Sequence, residues 1–382
     1  MSGNNCWGKH VGPALFLGVL ALFFFISGSR ANGQTIRELP PPPPPPTPKP
    51  TPTPRPPRDE EVDVIRVTSN LVMVPVSVLD PSGQPVHGLQ ISDFRIEEAG
   101  RRQEIAQIGN PDEVPLDIAL LLDVSGSTNA RFDFEKQAAA TFLKEVLKPS
   151  DRATLYMIDR TPILRQAAAD ANNASAGLLS IEAASDKGPT AFFDTVMEAA
   201  QYLAEKAPPQ HRRVILVISD GVDNFSEKIK KAIGETREEQ DAIGAAARQR
   251  IYDRATAEVQ RDVQRADAVF YSINPAGETM HLNLITKRGQ EGMRQIADAT
   301  GGNAFVPDKA EDLEAVFKQI AAELRGQYLL QYYSNSQAAV GQFRAITVTV
   351  PSHSDVRVRA RQGYYPKEVK GEKRRAEKRT TP

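Results

Sequence analysis

The apolar run Leu116-Asp117-Ile118-Ala119-Leu120-Leu121-Leu122 leads directly into Asp123-Val124-Ser125-Gly126-Ser127-Thr128. Read as a buried strand, it delivers one carboxylate and two hydroxyls (Asp123, Ser125 and Ser127) to the carboxyl edge of a sheet, where open α/β folds place ligands. An all-oxygen, partly neutral donor set suits Mg2+ or another hard divalent ion such as Mn2+ or Ca2+, rather than zinc. Two further segments carry matching chemistry: Gly188-Pro189-Thr190, and Ser219-Asp220-Gly221 behind the run Val214-Ile215-Leu216-Val217-Ile218. Each element also has a plainer reading. Ser127 or Thr128 can cap the helix that follows, and Asp220-Gly221 can be a turn. Asp223, in Asp220-Gly221-Val222-Asp223-Asn224, reads as a structural neighbour of such a site.

The elements that would hold these residues alternate strand and helix over residues 115–325, the pattern of an α/β, doubly wound, mostly parallel sheet. Strands are expected at 117–123, 153–159, 214–220, 268–274 and 303–306, with a short antiparallel edge at 163–167. Helices are expected at 132–147, 191–207, 290–300 and 310–324, and Gly301-Gly302 stops the third of them. Between Ser226 and Ala266, the residues Ile243, Ala247, Ile251, Ala255, Val259 and Val263 recur every four positions and make one apolar stripe. The segment 226–266 is therefore expected to be a long charged helical crossover packed on the sheet, a protruding arm being the other reading.

Strand-like sequence lies on both sides of this domain. Val72, Val74, Val76 and Val78 alternate with Met73, Pro75, Ser77 and Leu79, and a second strand-rich stretch covers residues 326–366. The first flank, 62–110, is too short for a strong core of its own. The two flanks are expected to pair into a small β-sandwich from which the α/β domain is inserted, with separate flanking modules as the alternative.

Lys9 and His10 precede the apolar run 11–26, and small and polar residues follow up to Ala31-Asn32-Gly33. Residues 1–33 read as an export signal, or as an uncleaved N-terminal anchor. Residues 34–61 form a proline-rich linker. Its run from Pro40 to Pro46 is incompatible with helix or sheet and favours polyproline II, which would reach about 60 Å over residues 40–58. The chain is accordingly expected outside the cytoplasm: periplasmic, at the cell surface, or secreted. A membrane is met only through the N-terminal segment, if that is retained. The tail, 367–382, is basic and expected to be disordered. A net charge of −1 gives no argument for a nucleic-acid partner. Cys6, the single cysteine, lies upstream of the apolar run, so the mature part has no disulfide, thiol nucleophile or zinc–thiolate site.

With Asp123, Ser125, Ser127, Thr190 and Asp220 in this order, residues 115–325 resemble the von Willebrand factor type A domain and its metal-ion-dependent adhesion site. The resemblance implies that these five residues surround a divalent ion, Mg2+ first among the candidates. It also implies that a protein partner's Asp or Glu completes the shell. The flanks are similar to a bacterial group of von Willebrand factor A-related proteins first described among acidobacteria. The shared features are Asp80-Pro81-Ser82-Gly83, Gly88-Leu89, Asp93-Phe94, Tyr328-Leu329-Leu330-Gln331-Tyr332 and Gly363-Tyr364-Tyr365-Pro366.

Catalytic readings find little support. An aspartyl-phosphate phosphatase needs a second acid two residues after its nucleophile, where Ser125 stands here, and serine is a poor general acid. Val124 breaks the Asp-Thr/Ser-Gly pattern of an aspartic protease. His211 and His281 serve no nucleophile-elbow sequence, and no glycine-rich phosphate loop is present. A non-enzymatic binding protein remains, in one of two classes. The first is a metal-dependent module that captures a carboxylate for adhesion or complex assembly. The second is a structural component binding through its long helix or β-sandwich, with the metal only structural.

Overall fold

The computed structural model describes residues 71–125, 129–183, 188–234, 236–275, 284–336, 339 and 341–366. The expected export signal, proline-rich linker and basic tail lie outside the described residues. Among the described residues no helix is long and apolar enough to cross a membrane.

The chain first lays down β1 (Leu71–Leu79), β2 (Arg95–Glu98), β3 (Arg101–Gln103) and β4 (Ile105–Gly109). It then runs through β5 (Leu116–Asp123), α1 (Asn129–Val146), β6 (Arg152–Ile158), β7 (Pro162–Ala169), α2 (Ala171–Leu179), α3 (Phe192–Lys206) and β8 (Arg212–Ile218). Three helices follow: α4 (Glu227–Ile233), α5 (Arg237–Ala242) and α6 (Ala245–Ala266). After them come β9 (Ala268–Ile273), α7 (Leu284–Thr300), β10 (Ala304–Phe305) and α8 (Leu313–Gly326). The last strands are β11 (Tyr328–Tyr333), β12 (Arg344–Thr349), β13 (Arg357–Ala360) and β14 (Gly363–Tyr364).

The central sheet has the order β10-β9-β8-β5-β6-β7 and is parallel except at β7, which runs antiparallel to β6. Strand β5 reads as unbroken apolar sequence because both its faces are covered. Ile118, Leu120 and Leu122 join the core beneath α1, α2 and α8, whereas Ala119 and Leu121 join the core beneath α3, α6 and α7. From β5 the chain steps to β6 on one side and later returns to β8 on the other. That reversal opens a crevice between the carboxyl ends of β5 and β8.

Two antiparallel sheets, ordered β13-β1-β11-β4 and β14-β12-β2-β3, enclose a separate core. Val72, Val74, Val76 and Val78 of β1 face inward with Leu330 and Tyr332 of β11, and meet Ile96 of β2 and Ile346 of β12. The expected fold class is thus present: a mostly parallel sheet wrapped by helices, with antiparallel sheets built from both flanks. Contacts with the α/β part are polar and close. Arg359 of β13 pairs with Glu323 of α8 at 2.5 Å, and the Gln362 amide donates to the Ala299 carbonyl at 3.0 Å. Gly301 ends α7 at φ +85°, and a Cβ there would stand 2.7 Å from the Ala360–Arg361 backbone, so glycine is required twice over.

Several expected boundaries need correction. The segment 226–266 is three helices, not one long crossover. Gly234, at φ +88°, ends α4, and Gly244 is extended ahead of α6. The four-residue spacing runs from Ile243 across that break, so the stripe alone does not show where the helix starts. Ala255, Val259 and Val263 are buried in the α3-side core, so α6 is packed against the sheet rather than protruding. Strand β8 stops at Ile218, short of Asp220, where its neighbour β9 also ends, at Ile273. Helix α7 starts at Leu284, earlier than expected, and α2 had no counterpart in the sequence pattern.

Candidate metal centre

The carboxyl ends of β5 and β8 and the loop before α3 meet at one place. Asp123 is the last residue of β5, and its Oδ1 accepts from the Ser125 amide at 2.9 Å and the Ser125 hydroxyl at 2.6 Å. This local turn is typical of Asp followed by small polar residues. Its other oxygen, Oδ2, accepts from the Ser219 hydroxyl at 2.6 Å. Ser219 is in turn held by its amide on the Ile273 carbonyl at 3.0 Å, and its Oγ takes the Gly221 amide at 3.0 Å.

The Thr190 hydroxyl donates to Ser125 Oγ at 3.0 Å, joining the second loop to the first. The Thr190 backbone is clamped from the third loop: its amide donates to Asn224 Oδ1 at 2.7 Å, and its carbonyl receives the Asn224 and Phe225 amides, each at 3.1 Å. Asp223 sits below as a helix cap. It accepts from the Phe193 amide at 2.7 Å, satisfying a free N–H at the start of α3, and from the Ser226 amide at 3.0 Å and hydroxyl at 2.5 Å, just ahead of α4.

Of the five residues singled out by sequence, Asp123, Ser125 and Thr190 are linked by direct hydrogen bonds. Asp220 stands near enough to act on Asp123 electrostatically without bonding to it. Ser127 lies outside the described residues. Sequence reasoning passed over two contributors: Ser219, which grips Asp123, and Asn224, which grips Thr190. The first was adjacent to Asp220 in the quoted segment, and its place at a strand end beside an acid was the available signal. Gly221, at φ +76°, lets this loop touch α7, since a Cβ there would lie 2.8 Å from the Gly289 carbonyl oxygen.

Among the described residues the site is an acidic pair without a paired cation. Burial pushes the Asp123 carboxyl up to about 6; the hydrogen bonds from Ser125 and Ser219 pull against that rise, and the nearby Asp220 charge adds to it. Asp220 is likewise raised by burial, and only the Val222 amide, at 3.0 Å on Oδ1, opposes this. Among the described residues no Lys, Arg or His side chain forms an ion pair with either carboxylate. Nor does any group of three or more His, Cys, Asp and Glu side chains gather among the described residues. Two carboxylates with converging hydroxyl oxygens fit a hard divalent cation, and they lack the nitrogen and sulfur donors that select zinc.

Residues 118–222 match the family of von Willebrand factor type A domains. The central domain is a von Willebrand factor type A domain. Such domains mediate protein–protein interactions. Solved structures that align with the chain include the PilB minor pilin from Streptococcus sanguinis, at 14% identity and TM-score 0.43, covering 59% of this chain and 64% of the pilin. A point variant of the same pilin is covered over 62% of its length. An aerotolerance-related membrane protein from Bacteroides fragilis aligns at 16% identity and TM-score 0.33, covering 55% of this chain and 98% of that one. Proximal thread matrix protein 1 from the mussel byssus, solved with a zinc-occupied MIDAS motif, aligns at 11% identity and TM-score 0.40, covering 58% of this chain and 48% of that one. No protein of curated function matches the sequence.

Proposed function

We propose that this type A domain is an extracytoplasmic binding module that holds a divalent cation, Mg2+ first among the candidates, at Asp123, Ser125, Ser127, Thr190 and Asp220. Through that ion it captures an Asp or Glu carboxylate of a protein partner, in adhesion or complex assembly. The observation that carries this reading is the pair of buried carboxylates whose partners among the described residues are hydroxyls and amides, with no ion pair to a cation there. A bound ion would neutralise the pair and supply positive charge to an incoming carboxylate. The chain's own residues do the positioning. Ser125 and Ser219 fix the two oxygens of Asp123, and Asn224 fixes the backbone that carries Thr190. We place the module on the proline-rich linker 34–61 behind an export segment at 1–33, with the flanks 62–110 and 326–366 as its sandwich base and the domain itself at 115–325. The role is binding rather than catalysis.

The test uses arrayed peptides that each contain a single Asp or Glu. Wild-type protein is expected to bind them in Mg2+ and to release them in EDTA. Thr190→Ala is expected to lose at least about tenfold in affinity, or about 1.4 kcal/mol, while keeping its circular dichroism and unfolding midpoint. Equal binding by the two proteins, or binding that survives EDTA, contradicts the reading.

A further inference from the structure

We propose that Arg160, stacked on Phe225, forms a second contact for the captured partner and selects a segment bearing two neighbouring carboxylates over one bearing a single acid. This rests on the metal-centred reading above and specifies the partner that the same site takes.

Both residues are attached to the Thr190 loop by backbone hydrogen bonds. The Ala191 amide donates to the Asp159 carbonyl at 2.8 Å, so the turn carrying Arg160 is clipped beside Thr190. The Phe225 amide donates to the Thr190 carbonyl itself. Arg160 is exposed and Phe225 half-buried, and the guanidinium carbon lies 5.3 Å from the ring centroid. Lys230 approaches the same ring at 4.3 Å, but its ammonium is tied to Glu227 at 2.6 Å. Arg160 forms no ion pair with an acidic side chain among the described residues. The Asp159 carboxylate beside it takes the Arg160 backbone amide, at 2.8 Å.

A guanidinium resting on an aromatic face keeps its planar fork oriented and is weakly hydrated, which readies it for bidentate contact with a carboxylate. Of the described acids at this edge, Asp123 and Asp220 are assigned to the ion and Asp159 is turned onto the Arg160 amide, so among the described residues Arg160 offers a partner a positive charge beside Thr190. A partner with one acid engages the ion alone. A partner with a second acid close by in sequence also engages the fork, and linking the two contacts in one segment raises the effective concentration of the second.

Capped tetrapeptides carrying one Asp, or two Asp at adjacent or alternate positions, are titrated against the purified protein in Mg2+ and in EDTA. The variants are Arg160→Ala, Arg160→Lys and Arg160→Glu, and a Mg2+ titration of each without peptide reports whether the metal centre is intact. In wild type at least one two-Asp peptide is expected to bind about tenfold tighter than the one-Asp peptide. That preference should disappear in Arg160→Ala, be partly kept in Arg160→Lys and reverse in Arg160→Glu. A wild type that does not discriminate, or a preference unchanged in Arg160→Ala, overturns the proposal while Mg2+-dependent binding of the one-Asp peptide leaves the metal-centred reading intact. An Arg160-dependent preference that persists in EDTA supports the rim contact and overturns the metal-centred reading.

Discussion

Glu98 in the β-sandwich and Asp123 at the carboxyl edge of the central sheet are both enclosed carboxylates, but their surroundings differ in kind. Glu98 is 2% exposed and accepts from the Tyr332 hydroxyl at 2.7 Å, Ser334 at 2.9 Å and Tyr364 at 3.3 Å. The Arg344 guanidinium, itself 5% exposed, stands 3.6 Å away. Charge and lone pairs are thus matched from within the chain, by residues of the closing strands. Asp123 and Asp220 have hydroxyl and amide donors but, among the described residues, no paired cation, and Asp123 is raised to about 6. The sandwich holds a finished ion pair that ties strands together. The sheet edge holds a negative centre that an ion from outside would complete.

The largest effect that separates the two centres should come from Arg344→Ala. Leaving Glu98 as an unpaired buried charge should destabilise the protein by about 3–5 kcal/mol in chemical unfolding, equally in Mg2+ and EDTA. Asp123→Ala in EDTA should cost far less or even stabilise, because it relieves a crowded acid pair. A loss that depends on Mg2+ in the first variant would break the contrast.

Next in size is the pH response of Glu135 on α1, a buried acid that accepts from the Nε of Arg131 at 3.2 Å. Burial raises it from 4.5 to about 7. Its stabilising contribution is therefore full below pH 4.5 and is lost as the pH rises through about 7, a change of about 3 kcal/mol. Glu135→Gln should flatten stability over that window, as read from urea unfolding at several pH values. An unchanged slope would show that Arg131 already neutralises it.

Mg2+ at a hundredfold excess over its dissociation constant should add about 2.7 kcal/mol to unfolding. That increment should vanish in Asp220→Asn and remain in Tyr332→Phe. The smallest effect is expected from Tyr332→Phe itself, which removes one hydrogen bond to a charged acceptor and should cost about 1.5 kcal/mol whatever the metal. A metal-dependent cost there would couple two centres that the structure keeps apart.

Much of this arrangement was legible in the chain, for identifiable reasons. Strand β5 announced itself because burial on both faces demands an unbroken apolar run, and β1 because one inward face imposes alternation. Asp123, Ser125 and Thr190 stood out because acid and hydroxyl donors follow a strand or precede a helix. Ser219 did not, since a serine after a strand has the same appearance whether it caps, turns or grips a carboxylate. The break at Gly244 was masked by a four-residue spacing that starts at Ile243 and continues across it. Helix α2, Ala171–Leu179, offers mostly Ala, Asn and Ser before its closing leucines, and only the Asp170 cap marks its start. The Glu98 cluster joins residues more than two hundred positions apart, a pairing that no local pattern encodes.

The most direct test of the central claim is calorimetric titration of the purified protein with Mg2+, with Asp123→Ala as its control. Saturable binding at a single site is expected in wild type and none in a folded Asp123→Ala. A folded wild type that takes up neither Mg2+, Mn2+ nor Ca2+ at millimolar concentrations, or a variant that binds as well as wild type, would contradict it.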